Sequence, residues 1–433
     1  MWINRRSVAA VAVVGSLAIA GCSAERGNAP AGQSAGAQTL TIWAPAGTEG
    51  DFVRKVVEKW NAGHATKFVA QDLPAATASE DGIAAAVAAK STPELLIGAS
   101  TAQSPSLAES GGILNLSKEF PDAESFVTQR SGQTVLDGYR AADGSLYVVP
   151  WRTNPVMVFY NKALLKKAGL AAEKPPATYS EYLAAFKALK AAGIAPIAQS
   201  IDQTWWHRSF DWYPTYLAAA KHGLLTAKVD ASAFNEQAGV ESMTFWRDTF
   251  AKGYNARSSA GLDETNPFNQ GKSAFYLSGP WNIPSMTKQV AAEAGVSTVP
   301  VPDAKATGTV TTYGDIKHVV IFSTAKNKAA SWEFVKFYLN ADNDTAFLSD
   351  LKQIPLRTSL ADDVGEAFFQ ENPLLEPFVK QAGNVLDLDL STKTIDVLTA
   401  LSTAYQSAAI YGKQPVAEAL KHAADQVDQL VRK

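Results

Sequence analysis

The segment "DQTWWHRSFDWYPTY", residues 202–216, holds six aromatic side chains in fifteen positions, interleaved with Asp202, Gln203, Arg208 and Asp211. A core helix carries aliphatic residues at regular spacing, and this stretch does not. Flat rings beside carboxylate, amide and guanidinium groups suit a ligand that is apolar on its faces and polar around its rim. A pyranose has this character, with C–H groups on the ring faces and hydroxyls on the edge. Indole covers the face and the polar groups take the hydroxyls. The competing reading is an aromatic wall between helices. Trp205 and Trp206 are read as ligand contacts, with Asp202 as a polar partner.

A second stretch, "KSAFYLSGPWNIP" (272–284), ends an apolar strand-like run at Ser278-Gly279-Pro280 and then presents Trp281. Gly and Pro break a strand ladder, so the largest apolar side chain stands just past a strand end, on a turn too short to bury it.

Enzyme chemistry finds less support. A glycosidase needs two carboxylates flanking one bond, and Glu49, Asp51, Asp202, Asp211 and Asp315 are available. No Gly-x-Ser-x-Gly marks a nucleophile, and "GKS" at 271–273 lacks the upstream glycine of a phosphate loop. Binding explains the same residues with fewer assumptions, so no catalytic residue and no cofactor is assigned. The single cysteine, Cys22, rules out an intrachain disulfide, and the five scattered histidines make no i, i+4 pair, so no metal site is expected. With 433 residues, 46% hydrophobic and a net charge of −3, the chain has an ordinary soluble composition. It is long enough for two domains and has no basic stripe for nucleic acid.

The elements that must position these residues alternate. "TLTIWA" (39–44) and "PELLIGAS" (93–100) read as short buried strands, as do "GSLYVVPW" (144–151) and "HVVIFST" (318–324). "VMVFYNKALLKKAGL" reads as a strand passing into a helix. "DFVRKVVEKWNAG" reads as a helix, with Phe52, Val53, Val56, Val57 and Trp60 on one face. "PPATYSEYLAAFKALKAAG" carries a capping box, Thr178 with Glu181. "SMTFWRDTFAKG", "KAASWEFVKFYLN" and "PVAEALKHAADQVDQLV" complete the main helices. Such alternation argues for α/β layers with largely parallel sheets.

The first residues belong to targeting. Arg5-Arg6 precede an apolar run from Val8 to Ala20, too short for a comfortable membrane span, and "LAIAGC" places small residues directly before Cys22. This resembles a bacterial lipobox. It implies a signal peptide over 1–21 and a lipidated Cys22, followed by the small, polar tether "SAERGNAPAGQSAGAQ" within 22–38.

Taken in order, the blocks resemble a known family: the sugar-binding extracellular solute-binding proteins of ABC importers, related to the maltose/maltodextrin-binding protein. "LTIWA", "PELLIGASTAQSPSLAESGGILNLS", "DGSLYVVPWRTNPVMVFYNK" with "PPATYSEYLAAFKAL", "FNQGKSAFYLSGPWNIP", "STAKNKAASWEFVKFYL" and "YGKQPVAEALKHAADQV" are similar to the family's successive blocks over most of the mature chain. The resemblance implies the α/β fold of periplasmic-binding-protein type II, two α/β lobes joined by a hinge. One lobe is expected over 39–150 plus 308–354 and the other over 151–307 plus 355–433. It implies that Trp281 stands in the inter-lobe cleft and stacks on a sugar ring. It also carries Asn154 and Arg152 in "PWRTNPV", Glu49 and Asp51 in the loop after the first strand, and Ser100 and Thr101 after the second. Trp43 is a further candidate ring. Asp315 falls where many relatives have a Gly-Gly turn, a departure that leaves its role open. The implied partners are a carbohydrate, with a lean to a di- or oligosaccharide, ABC permease subunits, and a membrane reached through the lipid; nucleic acid is not expected, and the protein is expected to be a monomer. The same fold binding a glycerophosphodiester, polyol or peptide is the nearest alternative, and an extracellular glycosidase or an adhesin the more distant ones.

Overall fold

Short β-branched and apolar runs become the strands of three sheets among the described residues. In chain order they are β1 (Thr39–Ala44), β2 (Lys67–Asp72), β3 (Leu95–Ser100), β4 (Val149–Thr153), β5 (Met157–Asn161) and β6 (Ala195–Ile197). They continue with β7 (Ser273–Ser278), β8 (Ala294–Ser297), β9 (Thr312–Tyr313), β10 (Lys317–Ile321), β11 (Ile354–Pro355) and β12 (Val385–Leu386). The computed structural model describes residues 39–73, 80–259 and 264–432; Cys22, the apolar run before it and the tether expected over 22–38 lie outside the described residues.

A six-stranded sheet runs β11-β4-β10-β3-β1-β2, a four-stranded sheet runs β6-β7-β5-β8, and β12 pairs with β9. The sheets are mixed, which corrects the expectation of largely parallel ones. β1 is parallel to β2 and β3, but β10 lies antiparallel between β3 and β4, and β5 is antiparallel to both β7 and β8. Apolar runs specify that a strand forms and is buried. They do not specify its direction, and here β10, late in the chain, enters the first sheet against the grain.

Both faces of the four-stranded sheet are covered, so its strands read as continuous apolar runs. Val158, Phe275 and Leu277 face one core, while Met157, Phe159 and Tyr276 face another. The six-stranded sheet has its own core, built on Ile42, Leu96, Trp151, Val320 and Phe347. Helix Thr48–Gly63 buries Phe52, Val53, Val56, Val57 and Trp60 against it. Helix Tyr179–Ala191 carries the full capping box, in which Thr178 Oγ1 accepts from the Glu181 amide and Glu181 Oε2 accepts from the Thr178 amide.

The chain passes from one sheet to the other through the three residues between β4 and β5. That segment lies beside the chain around β9: the Asn154 amide donates to the Gly314 carbonyl at 2.6 Å and the Val156 amide to the Tyr313 carbonyl at 2.8 Å. The lobe boundary expected at 150/151 falls inside β4, and all of Val149–Thr153 belongs to the six-stranded sheet. The described residues form one compact unit.

Candidate functional site

A cavity of about 340 Å³ lies where the two sheets' loops meet, lined by Glu49, Ser100, Arg152, Trp205, Trp206, Ser209, Phe210, Trp281, Tyr313, Asp315, Lys317, Gln353 and Leu388. Strand ends and short turns supply most of these, the usual origin of ligand contacts in α/β sheets. Ser100 closes β3, Arg152 sits in β4, Lys317 opens β10 and Glu49 lies in the first turn of helix Thr48–Gly63.

Trp281 lies in the 3₁₀ turn Pro280–Ser285 directly after β7. Its ring folds back over Gly279. A Cβ at Gly279 would stand 1.7 Å from Trp281 Cζ3 and 2.3 Å from two further ring carbons, so the ring's position depends on a residue with no side chain. The turn is fixed by Asn282, buried, whose side-chain amide exchanges two hydrogen bonds with that of Asn269, at 2.7 and 2.9 Å. Phe210 meets Trp281 edge-on at 5.5 Å and Tyr313 at 6.1 Å, and Trp206 stacks on His207 at 3.8 Å. Burial holds the His207 imidazole down to about 4, so this wall is neutral near pH 7. Trp205, Trp206 and Phe210 come from the 3₁₀ turn Trp205–Phe210, which exposes part of each ring.

The opposite character comes from a charge cluster, buried at Arg152 and Asp315 and half-buried at Glu49 and Lys317. Arg152 donates from Nη2 to Glu49 Oε1 at 3.1 Å and from Nη1 to Asp315 Oδ2 at 3.3 Å. Lys317 Nζ donates to Asp315 Oδ1 at 2.8 Å, and Gln353 Nε2 to Glu49 Oε1 at 2.8 Å. Burial alone would lower the Arg152 guanidinium; the Glu49 and Asp315 carboxylates more than offset this and hold it above its ordinary range. Burial raises the Tyr313 phenol, with Asp315 adding to it, so Tyr313 remains a neutral donor. Three buried polar atoms on cavity residues, Ser100 Oγ, Arg152 Nε and Ser209 Oγ, have no hydrogen-bond partner among the described residues. A buried polar atom without a partner costs on the order of 1–3 kcal/mol, so the polar wall beside the cavity is not fully satisfied by the protein alone.

Of the residues singled out in the sequence, the structure brings together Trp281, Trp205, Trp206, Arg152, Glu49, Ser100 and Asp315. Five others do not line this cavity. Trp43 is a core residue, 7% exposed, with its ring edge-on to Phe322 at 5.8 Å. Asp51 is exposed and paired with Arg54 at 2.7 Å. Thr101 is buried between the Asp387 carboxylate and His318 Nε2. Asn154 is fully buried and donates to Gln353 Oε1 at 2.8 Å, which makes it a support for a cavity residue. Asp202 folds onto its own loop, accepting from the Thr204 amide and hydroxyl at 2.8 and 2.6 Å. The aromatic segment also divides. Its second half is a core helix, Trp212–Ala220, with Trp212, Tyr213 and Tyr216 at most 1% exposed, which the pattern of rings did not separate from the first half.

The sequence reading missed Phe210, Ser209, Tyr313, Lys317, Gln353 and Leu388 as individual contacts. Phe210 and Ser209 lie inside the flagged aromatic segment, and Tyr313 and Lys317 flank the flagged Asp315. Gln353 carries no local signal, because it reaches the cavity only through the two-residue strand β11 beside it.

A larger groove of about 790 Å³, with Pro105, Ala108, Tyr139, Val229 and Leu390 in its lining, offers no comparable convergence of rings with unpaired polar atoms.

Comparison with known proteins adds an independent finding. The family described as bacterial extracellular solute-binding protein matches residues 55–377. A maltooligosaccharide ABC transporter solute-binding lipoprotein of Streptococcus pneumoniae is 27% identical over 230 residues, covering 50% of this chain and 51% of that one. An sn-glycerol-3-phosphate-binding periplasmic protein of Brucella abortus is 37% identical over 67 residues, 16% of this chain and 15% of that one. Among solved structures, the cyclic alpha-maltosyl-1,6-maltose binding protein of Arthrobacter globiformis is similar with a TM-score of 0.76 and 24% identity, over 92% of this chain and 100% of that one. That likeness establishes the type II, two-lobe α/β fold.

Proposed function

The chain belongs to the bacterial extracellular solute-binding protein family, and from that premise we propose that it is the capture component of an ABC importer for a short, neutral di- or oligosaccharide. One observation carries the reading: four aromatic rings besides Tyr313, and a set of polar and charged side chains, line a single cavity. Trp281, with Trp205, Trp206 and Phe210 around it, is the platform for sugar faces. Ser100, Arg152, Ser209, Glu49, Gln353 and Asp315 take hydroxyls. The cavity volume of about 340 Å³ falls at the lower end of ligand sites, about 300–1,000 Å³, and favours a few sugar rings over a long chain.

Ligand bridges the two lobes, so the closed state gains contacts that the open state lacks and binding shifts the population toward closure. The segments 154–156 and 312–316 serve as the hinge. The closed protein docks on membrane permease subunits driven by a cytoplasmic ATPase. Lipid on Cys22 and the 22–38 tether keep it at the outer face of the cell membrane, and it acts as a monomer.

A phosphodiester ligand fits less well. The two cavity cations, Arg152 and Lys317, are already engaged by carboxylates. Hydrolysis fits less well too, because Glu49 and Asp315, the two carboxylates lining the cavity, are both already paired with the same arginine.

The test is a tryptophan-fluorescence titration of the intact protein with sugars, polyols and glycerophosphodiesters, followed by analysis of the ligand. Saturation by one sugar class, lost in Trp281→Ala, with the sugar recovered unchanged, is the expected result. Saturation by a polyol or phosphodiester alone, or release of cleaved product, overturns the reading.

A further inference from the structure

We infer that Asp315 is the residue that sets the cavity's choice between neutral and anionic ligands, by cancelling the charge of two cations that would otherwise recognise a phosphate or carboxylate. The inference rests on the proposed binding role of this cavity and adds the determinant of its ligand's charge.

Asp315 stands at a backbone position that resists it. Its φ is +41°, the left-handed region that glycine enters freely and other residues rarely. Aspartate is among the few side chains tolerated there, yet a glycine would hold the turn more readily. Asp315 is 6% exposed and its carboxylate is engaged on both oxygens: Oδ1 accepts from Lys317 Nζ at 2.8 Å and from the Tyr313 hydroxyl at 3.5 Å, and Oδ2 from Arg152 Nη1 at 3.3 Å. Its own carbonyl also accepts from Arg152 Nη1, at 3.4 Å. A backbone cost borne at a cavity wall, by a side chain whose two nearest partners are cations on that wall, points to those cations as the reason for it.

The charge balance follows from the lining. Glu49 and Asp315 contribute two negative charges, and Arg152 and Lys317 two positive ones, so the polar wall is neutral as a whole. Glu49 answers Arg152 and is shared with Gln353, whereas Asp315 is the carboxylate that both cations contact. Removing the Asp315 carboxylate leaves Lys317 without its ion-pair partner and Arg152 with one of its two carboxylates, both facing the same space as Trp281. An ammonium and a guanidinium converging on one cavity form a phosphate- or carboxylate-binding pair. With the aspartate in place, an anionic ligand would have to compete with a carboxylate already seated on both.

The test uses Asp315→Asn, which keeps size and tolerance of the left-handed conformation while removing the charge, and Asp315→Gly, which also removes any backbone strain. Both are made in the intact protein, with Asp51→Asn as a control. Asp51 is an exposed, ion-paired carboxylate outside the cavity, so its loss changes net charge equally. The probes are sn-glycerol 3-phosphate and, as its neutral counterpart, glycerol, read by cavity tryptophan fluorescence at low and high salt. The expected result is a gain of at least about tenfold in affinity for sn-glycerol 3-phosphate in both variants, weakening as salt rises, with no gain for glycerol and none in Asp51→Asn. Wild-type protein binding the phosphate as tightly as the variants overturns the inference, as does a gain that salt does not touch or no gain in either variant. The outcome is separable from the sugar reading. If no carbohydrate binds but the variants gain the phosphate, charge cancellation stands and the sugar falls; if a sugar binds and the variants gain nothing, the reverse holds.

Discussion

Replacing Gly279 with alanine isolates the positioning of Trp281 from every other contribution to binding. The backbone there, φ −97° and ψ 178°, is open to any L residue, so alanine introduces no backbone strain. It introduces a methyl group 1.7 Å from the Trp281 ring, which must therefore move. The ring is half-buried and can swing outward, while the Asn269–Asn282 pair keeps the turn itself in place. The size of the loss can be worked out. If a sugar covers about a third of the indole surface, about 60 Å², the area term is about 1.5 kcal/mol. Face-specific stacking adds about 0.5–1.5 kcal/mol. A total of about 2–3 kcal/mol is roughly a 30- to 150-fold weaker Kd. Trp281→Ala should show that loss, Gly279→Ala should approach it, and the double variant should be no worse than Trp281→Ala alone, since both changes remove the same contact. Isothermal titration with the sugar identified in the panel reads all three. Near-wild-type affinity in Gly279→Ala, or additive losses in the double variant, would refute the claim that this glycine acts by seating this ring.

Other perturbations separate the site from its frame. Trp43→Phe should leave sugar affinity unchanged by titration, because the ring packs in the six-stranded sheet's core. Asp344→Asn should destabilise the protein by about 3–5 kcal/mol in denaturant unfolding without changing affinity, because it breaks a fully buried pair in which Arg130 Nε and Nη2 each reach Asp344 at 3.0 Å. Asp387, pushed up to about 6 by burial, is ionised less readily folded than unfolded. Its stabilising contribution is therefore complete below about pH 4 and is lost as pH rises through about 6. The stability of Asp387→Asn relative to wild type should accordingly rise between pH 4 and pH 7, by roughly 3 kcal/mol at most, in chemical unfolding across pH; a difference that stays flat with pH would show the carboxyl unperturbed.

What the sequence made legible follows from what kind of signal each feature carries. Thr178 with Glu181 announced a helix start because a capping box is local, and the helix begins at Tyr179. The apolar spacing from Phe52 to Trp60 announced a buried face because a helix repeats it. Trp281 was legible as unusual because Gly279-Pro280 ends a strand before it, although the reason for glycine is the ring's fold-back, a tertiary fact. Trp43 and Trp205 are both tryptophans beside short elements, and only the fold distinguishes the one facing Phe322 from the one facing the cavity. Gln353 was invisible because its place depends on a two-residue strand and on Asn154, some two hundred residues earlier in the chain. Strand direction failed for the same reason: the position of β10 between β3 and β4 is set by which edges are free when that part of the chain returns.

The two chemistries of the cavity come from different halves of the molecule, and this constrains how the protein can work. Tyr313, Trp281, Trp205 and Phe210 pack with the core of the four-stranded sheet. Ser100, Arg152 and Lys317 belong to strands of the six-stranded sheet, and Gln353 and Glu49 are tied to them by hydrogen bonds. A ligand with apolar faces and a hydroxylated rim is satisfied by neither half alone, since the ring half brings Ser209 and the Tyr313 hydroxyl as its polar groups and leaves the other hydroxyls desolvated and unpaired. Only the arrangement that brings both halves to one cavity satisfies face and rim together. A ligand lacking either feature would bind one half and leave the other free, so the separation makes closure itself a test of ligand chemistry, with discrimination growing from the difference in free energy between one-sided and two-sided binding.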